Sequence, residues 1–145
     1  MNKEQKLIEI AKKFIECNPN SIGVTGTLML KLRGIDLCRE IDDLDLIVND
    51  WCPNVVFPKD LEFEDLGKAS DYINLKYKCD NIKIDILSSN EQLEIVEGIP
   101  LGSLSNLLER KYIYCNQNHS SSKKHYDDLV KLGFDFSGRI TPSFL

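Results

Sequence analysis

The chain has 145 residues, 42% hydrophobic and 28% charged, with 23 acids against 18 bases and a formal charge of −5. That is one domain's length, sufficient for a core without disulfide or metal staples and inconsistent with disorder. No apolar run approaches the roughly 18 residues of a membrane span, the charged start lacks a signal peptide's apolar region, and the acidic surplus disfavours a strong non-specific grip on nucleic acid.

The first predicted element is a helix over 3–17, where Leu7, Ile10, Ala11 and Phe14 recur at helical spacing and Asn18-Pro19 ends the run. A short strand over 21–25 follows. Gly26 breaks it, and an apolar helix over 27–33 stops at Gly34. After a loop over 35–42, residues 44–48 read as a strand continuous with Asp43. Residues 49–60, with Trp51, Pro53 and Pro58, read as a loop, and 61–66 as a short strand. Residues 72–79 and 82–87 alternate clearly about Asp80-Asn81, two residues that tolerate positive φ, so a tight hairpin is predicted. Its register pairs Cys79 with Ile82, Tyr77 with Ile84 and Leu75 with Ile86 on an apolar face. Lys78 then meets Lys83, and Lys76 meets Asp85, on the polar face. Residues 91–96 read as a strand or turn, and Gly98-Ile99-Pro100 as a loop. Helices are predicted from Ser103 to about Tyr114 and from about Lys123 to Leu132, joined by a polar linker over 116–122. No internal domain boundary is evident. The five cysteines lack Cys-x-x-Cys spacing and read as reduced, buried structural thiols of a cytoplasmic protein.

The candidate chemistry lies in two stretches, Gly26-Thr27 and Asp43-Leu44-Asp45. Side chains two apart on a strand leave the same face, so Asp43 and Asp45 sit about 6.5–7 Å apart at Cα. Leu44, Leu46 and Val48 take the other face. Two such carboxylates repel unless a cation lies between them, and hard divalent ions are commonly held by one or two carboxylates together with substrate phosphates. Asp85, on the polar face of another strand, is a third candidate ligand. A strand, a glycine and a hydroxyl opening a helix leave backbone N–H groups free for phosphate, and Gly26 allows the phosphates close to the backbone.

This combination resembles the nucleotidyltransferase superfamily with the DNA polymerase β-like fold. Its signature is Gly-Ser or Gly-Thr after a strand, Asp-x-Asp on the next strand, and a third acid on a later one. The resemblance spans about residues 20–130 and implies an α+β fold, a mixed sheet flanked by helices. It further implies that Asp43, Asp45 and Asp85 are the catalytic metal-binding carboxylates, with Asp85 helping to activate the acceptor. Arg39, before Asp-x-Asp, together with Gly98-Ile99-Pro100, Lys111, Lys124 and Asp128-Leu129, looks like the pattern of abortive-infection-type toxin nucleotidyltransferases. Nucleotide-binding roles follow for Gly26, Thr27, Arg39 and Lys111. Thr27 in place of the commoner serine, a long gap from Gly26 to Asp43, and His125 where an acid is often found are departures from that pattern.

Plainer readings stand beside these. A lone acidic pair is commonly solvated surface. Asp42 reads as a loop or capping acid, and Asp85 as a cross-strand partner of Lys76. Arg39 could pair with Glu40 or Asp42, and Lys111 could be a snorkelling surface lysine. Trp51 and Tyr72 could stack on a base, but Trp51 could equally plug the core. His119 and His125 lack zinc spacing. The expectation is a single minimal domain, with its core at about 20–90 and C-terminal helices at about 103–133. It would use Mg²⁺ or Mn²⁺ to move a nucleoside monophosphate from a nucleoside triphosphate to an acceptor hydroxyl on protein, RNA or a small molecule. The alternative is a catalytically weak or inactive binding module of the same fold, in a toxin–antitoxin or defence pair with a protein partner.

Overall fold

A computed structural model of the chain describes residues 1–49, 54–68, 74–118, 120–142 and 144. Trp51, Cys52, Pro53, Tyr72 and His119, all weighed above, lie outside the described residues. The chain divides into two compact units, Met1–Ser103 and Leu104–Leu145. Nothing in the composition around Ser103 marks this division.

The first unit is a mixed sheet with two helices. Helix α1 (Lys3–Cys17) starts at a capping box in which Asn2 Oδ1 accepts from the Gln5 N–H at 2.8 Å and Gln5 Oε1 accepts from the Asn2 N–H at 3.1 Å. Strand β1 (Ile22–Thr25) leads directly into α2 (Gly26–Leu32), and β2 (Asp43–Val48) follows. Then come β3 (Glu64–Lys68), β4 (Asn74–Cys79), β5 (Ile82–Ser88), β6 (Glu94–Val96) and β7 (Ile99–Leu101). The spatial order is β3-β4-β5-β2-β1-β7-β6, with β2 parallel to β5, β1 parallel to β7, and the other pairs antiparallel.

The β4–β5 hairpin has the predicted register in full, from Cys79 opposite Ile82 to Leu75 opposite Ile86. Asp80 and Asn81 both take positive φ, at 49° and 65°, as a two-residue turn matched to strand twist requires. Leu44, Leu46, Ile84, Ile86, Ile22 and Val24 are fully buried. They form one apolar face of the central strands. Helix α1 closes that face, with Phe14 edge-on to Phe57 and Phe63, and Phe57 edge-on to Tyr77. The side chain of Asn18 bonds the Val56 backbone in both directions at 2.8 Å and so pins the segment over 54–58 beside α1.

Two elements correct the sequence reading. Residues 98–100, predicted as a loop, belong to a β6–β7 hairpin turning on Glu97 and Gly98, both at positive φ. Proline suggested a break. It fits here because β7 is three residues long and its register with β1 joins Val24 to Leu101, leaving Pro100 outside that pairing. Strand β3 begins three residues later than expected, and a register shift between Asp65 and Gly67 bulges this edge strand.

The second unit contains α3 (Leu104–Cys115) and α4 (Ser122–Lys131) and the tail beyond them. The tail folds back on α3. Arg139 lies over the rings of Tyr112 and Phe134 at 4.9 and 4.8 Å and pairs with Glu109 at 2.7 Å. The Tyr112 hydroxyl donates to the Ile140 carbonyl at 2.8 Å. Among the described residues no helix is long and apolar enough to cross a membrane. Of the described cysteines, Cys79 and Cys115 are buried as expected and burial pushes both thiols up, but Cys38 is exposed.

Candidate active site

The face of the sheet opposite the apolar one carries the acids. Asp45 is in register with Asp85 on the parallel neighbour β5 and with Thr25 on β1. Cross-strand partners share a face at about 4.8 Å, so Asp85, Asp45 and Thr25 form one row, with Asp43 two residues along β2. The predicted grouping of Asp43, Asp45 and Asp85 on one face is therefore present. Asp43 is exposed, and Asp45 and Asp85 are half-buried. Farther along the same face Ile47 is buried, and a Cβ added at Gly23 would meet Leu93 Cδ2 at 2.6 Å, so Leu93 closes that end.

Asp45 is set against Gly26. A Cβ built on Gly26 would lie 2.1 Å from Asp45 Oδ2, and Gly26 has φ +70°, which disfavours any L side chain. Glycine is thus required on two independent grounds, and its lack of a side chain brings the Asp45 carboxylate to the β1–α2 turn. Arg39 joins from the following loop, donating from Nη2 to Thr27 Oγ1 at 3.3 Å. Gly26, Thr27, Arg39 and Asp45 are accordingly neighbours across 19 residues of chain. Because α2 has only seven residues, its macrodipole adds little, and the local amides of the turn are what it offers an anion.

Asp85 holds its proton more tightly than an ordinary aspartate. Burial is the main cause, the Asp43 charge adds to it, and Lys76 and Lys83 act against it. The predicted Lys76–Asp85 contact is present, but at 3.9 Å between groups that are 46% and 36% exposed it is a loose pair worth under about 1 kcal/mol. Asp42 lies away from this group and pairs with Lys3 at 3.0 Å, as expected for a loop acid. Among the described residues no three His, Cys, Asp or Glu side chains converge into a ready metal cage. The donor set is all oxygen, on adjacent register positions. That chemistry suits a hard divalent ion held by one or two carboxylates and completed by phosphate oxygens.

Lys111 is placed differently from either sequence expectation. Its side chain is 6% exposed and pairs with Asp128, itself 1% exposed, at 2.9 Å inside the second unit. It is a buried ion-pair partner, neither a surface lysine nor an ammonium presented to solvent. The sequence reading missed the support beneath the turn. The Gly102 N–H donates to the Val24 carbonyl at 2.8 Å, and Arg33 Nη2 donates to the Gly102 carbonyl at 2.7 Å. Buried Glu91 accepts from the Ser103 N–H at 2.9 Å and from the Ser89 hydroxyl at 2.5 Å. These contacts tie the end of β7 to β1 just before Gly26. They join residues as far apart as Val24 and Gly102, which no local pattern signals.

No protein-family model matches the chain, and no curated protein matches it in sequence. Solved structures do match it in fold. The candidate nucleotidyltransferase TM1012 from Thermotoga maritima is 16% identical with a TM-score of 0.55, over 91% of this chain and 94% of that one. JHP933 from Helicobacter pylori is 17% identical with a TM-score of 0.52, over 87% of this chain and 62% of that one. This chain thus spans less than two thirds of JHP933. An antigenic nucleotidyltransferase-like protein from Paracoccidioides brasiliensis is 15% identical with a TM-score of 0.51, over 89% of this chain and 74% of that one. At these identities the likeness establishes the nucleotidyltransferase fold, an α+β arrangement around a mixed sheet.

Proposed function

We propose that the chain is a nucleotidyltransferase, moving a nucleoside monophosphate from a nucleoside triphosphate to an acceptor hydroxyl with release of pyrophosphate. The observation that carries this reading is the seating of Asp45 against Gly26 in the same row as Asp85. It joins the Gly26-Thr27 turn to a pair of carboxylates at paired positions on adjacent strands. Two of the proteins that share this fold are named as a candidate nucleotidyltransferase and a nucleotidyltransferase-like protein.

Asp43, Asp45 and Asp85 would hold Mg²⁺ or Mn²⁺, which when bound supplies charge neutralisation at the reacting phosphate and its leaving group. The backbone at Gly26 and the Thr27 N–H and hydroxyl bind the β- and γ-phosphates, with Arg39 steadying Thr27 Oγ1. The acceptor oxygen forms a bond to the α-phosphorus, and the bond from that phosphorus to the β-bridging oxygen breaks. Asp85, on the acceptor side of the row, takes the acceptor hydroxyl's proton. Most of the protein's contribution is placement and charge compensation. Purified protein given Mg²⁺ or Mn²⁺ and labelled nucleoside triphosphates is expected to transfer label to an acceptor, with Asp43→Ala or Asp45→Ala abolishing transfer. Transfer undiminished in both variants would refute the assignment.

A further inference from the structure

Beside the carboxylates the same face of the sheet carries three lysines, and their arrangement breaks a local rule. Lys78 and Lys83 stand directly opposite one another on β4 and β5. Like charges at this position, with Cβ atoms about 4.5–5.5 Å apart, destabilise a sheet. A solvated polar face would place an acid at one of the two. Glu64 does face Lys78 from β3, but among the described residues neither Lys78 nor Lys83 makes an ion pair. Lys76, next to Lys78 on this face, reaches Asp85 only at 3.9 Å. Three lysines thus lie side by side on a chain of net charge −5, with Glu64 and Asp43 as the outer neighbours of the facing pair. Local rules are commonly broken where a ligand compensates.

The register fixes where this ledge lies. Lys83 is the cross-strand neighbour of Asp43, and Lys76 that of Asp85. Across the sheet the row runs Lys76, Asp85, Asp45, Thr25, so the lysines and the Gly26-Thr27 turn flank the carboxylates from opposite sides. A triphosphate on the turn leaves the lysine side for the other substrate. Lysine is a point charge with three donors and needs no planar partner, which suits phosphate oxygens.

We propose that Lys78 and Lys83, with Lys76 beside them, seat a phosphate carried by the acceptor close to its reacting hydroxyl. This rests on the transferase reading above and names the acceptor's chemistry as phosphate-bearing, in either a polynucleotide 3′ end or a phosphorylated small molecule. The ledge is local, so it supplies a site on the acceptor side without the extended basic surface of a general nucleic-acid binder.

The test uses the full chain and a 5′-fluorescein single-stranded oligoribonucleotide with a free 3′-hydroxyl, followed by anisotropy at low salt with ribose 5-phosphate as competitor. A non-hydrolysable nucleoside triphosphate is titrated in parallel by calorimetry. The double variant Lys78→Ala/Lys83→Ala is expected to weaken oligonucleotide binding at least tenfold. It should lower the slope of log affinity on log salt by about 1.4, two charges at 0.7 each on a single strand, with triphosphate affinity unchanged. Lys83→Gln removes one of the two facing charges without setting an acid opposite Asp43, so it should weaken the oligonucleotide while the melting temperature stays close to that of the wild type; a merely misfolded variant would lower both. Displacement by ribose 5-phosphate at comparable concentration identifies a small phosphorylated acceptor, and its failure to compete identifies a polynucleotide. The proposal is overturned if the wild type binds neither probe. It is equally overturned if the double variant binds as the wild type does, if triphosphate affinity falls by the same factor, or if an acidic peptide binds as tightly as the oligonucleotide. Lysine-dependent oligonucleotide binding in a wild type that takes up no triphosphate would refute the transferase reading and leave the phosphate seat standing.

Discussion

Gly26→Ala is the sharpest probe of how the turn and the carboxylate are joined. Alanine at φ +70° costs about 1–2 kcal/mol for the left-handed backbone alone. The added methyl would also meet Asp45 Oδ2 at 2.1 Å, Cγ at 2.9 Å and Cβ at 3.0 Å. Such overlap forces Asp45 or the turn to move, for a further cost of about 1–3 kcal/mol. Gly34 supplies the control, with φ +85° and nothing within 4 Å of an added Cβ. Urea denaturation is expected to show a loss of about 1–2 kcal/mol for Gly34→Ala and about 2–5 kcal/mol for Gly26→Ala. Asp45→Ala removes Oδ2 and Cγ, so combining it with Gly26→Ala should recover much of the excess in a double-mutant cycle. Equal losses for the two glycine variants, or no coupling to Asp45, would refute the close approach.

Other perturbations bear on separate parts of the molecule. Asp128→Ala leaves the Lys111 ammonium buried without its carboxylate and should cost about 3–5 kcal/mol by chemical denaturation, whereas Lys111→Met/Asp128→Leu should recover most of it; equal losses would mean the pair is not a buried charge pair. Asp85→Asn tests the raised proton affinity of that group, caused first by burial and then by Asp43. A carboxyl with its folded pKa above its unfolded one loses stability as pH rises through the interval between the two, so the ionised group is a liability at neutral pH. Without metal, Asp85→Asn should therefore melt higher than the wild type at pH 7, with the gap closing as pH falls below the ordinary aspartate range. A lower melting temperature at pH 7 would show that Lys76 stabilises the ionised carboxylate.

The parts legible in the sequence were those set by local chemistry. Asp80-Asn81 fixed a two-residue turn, and side-chain alternation then determined every pair of the β4–β5 hairpin, including Lys76 with Asp85. Asp43 and Asp45 share a face because strand periodicity requires it. The distance from Asp45 to Asp85 was not legible, because it depends on β5 lying parallel to β2 across some 40 intervening residues. The Arg33–Gly102 bond is long-range in the same way. Lys111 was misjudged because its partner Asp128 sits on the next helix; the helix pattern shows only that a lysine lies beside leucines. Proline hid β7, since a break signal cannot distinguish a loop from a three-residue strand whose proline lies outside the pairing with β1.

Calorimetric titration of the wild type and of Asp45→Ala with a non-hydrolysable nucleoside triphosphate, with and without Mg²⁺, bears most directly on the joined turn and carboxylate row. Binding that requires Mg²⁺ in the wild type and weakens at least tenfold, about 1.4 kcal/mol, in Asp45→Ala is expected. Failure of the wild type to bind the analogue with Mg²⁺, or equal binding by Asp45→Ala, would contradict the assignment of this face as a nucleotidyltransferase site.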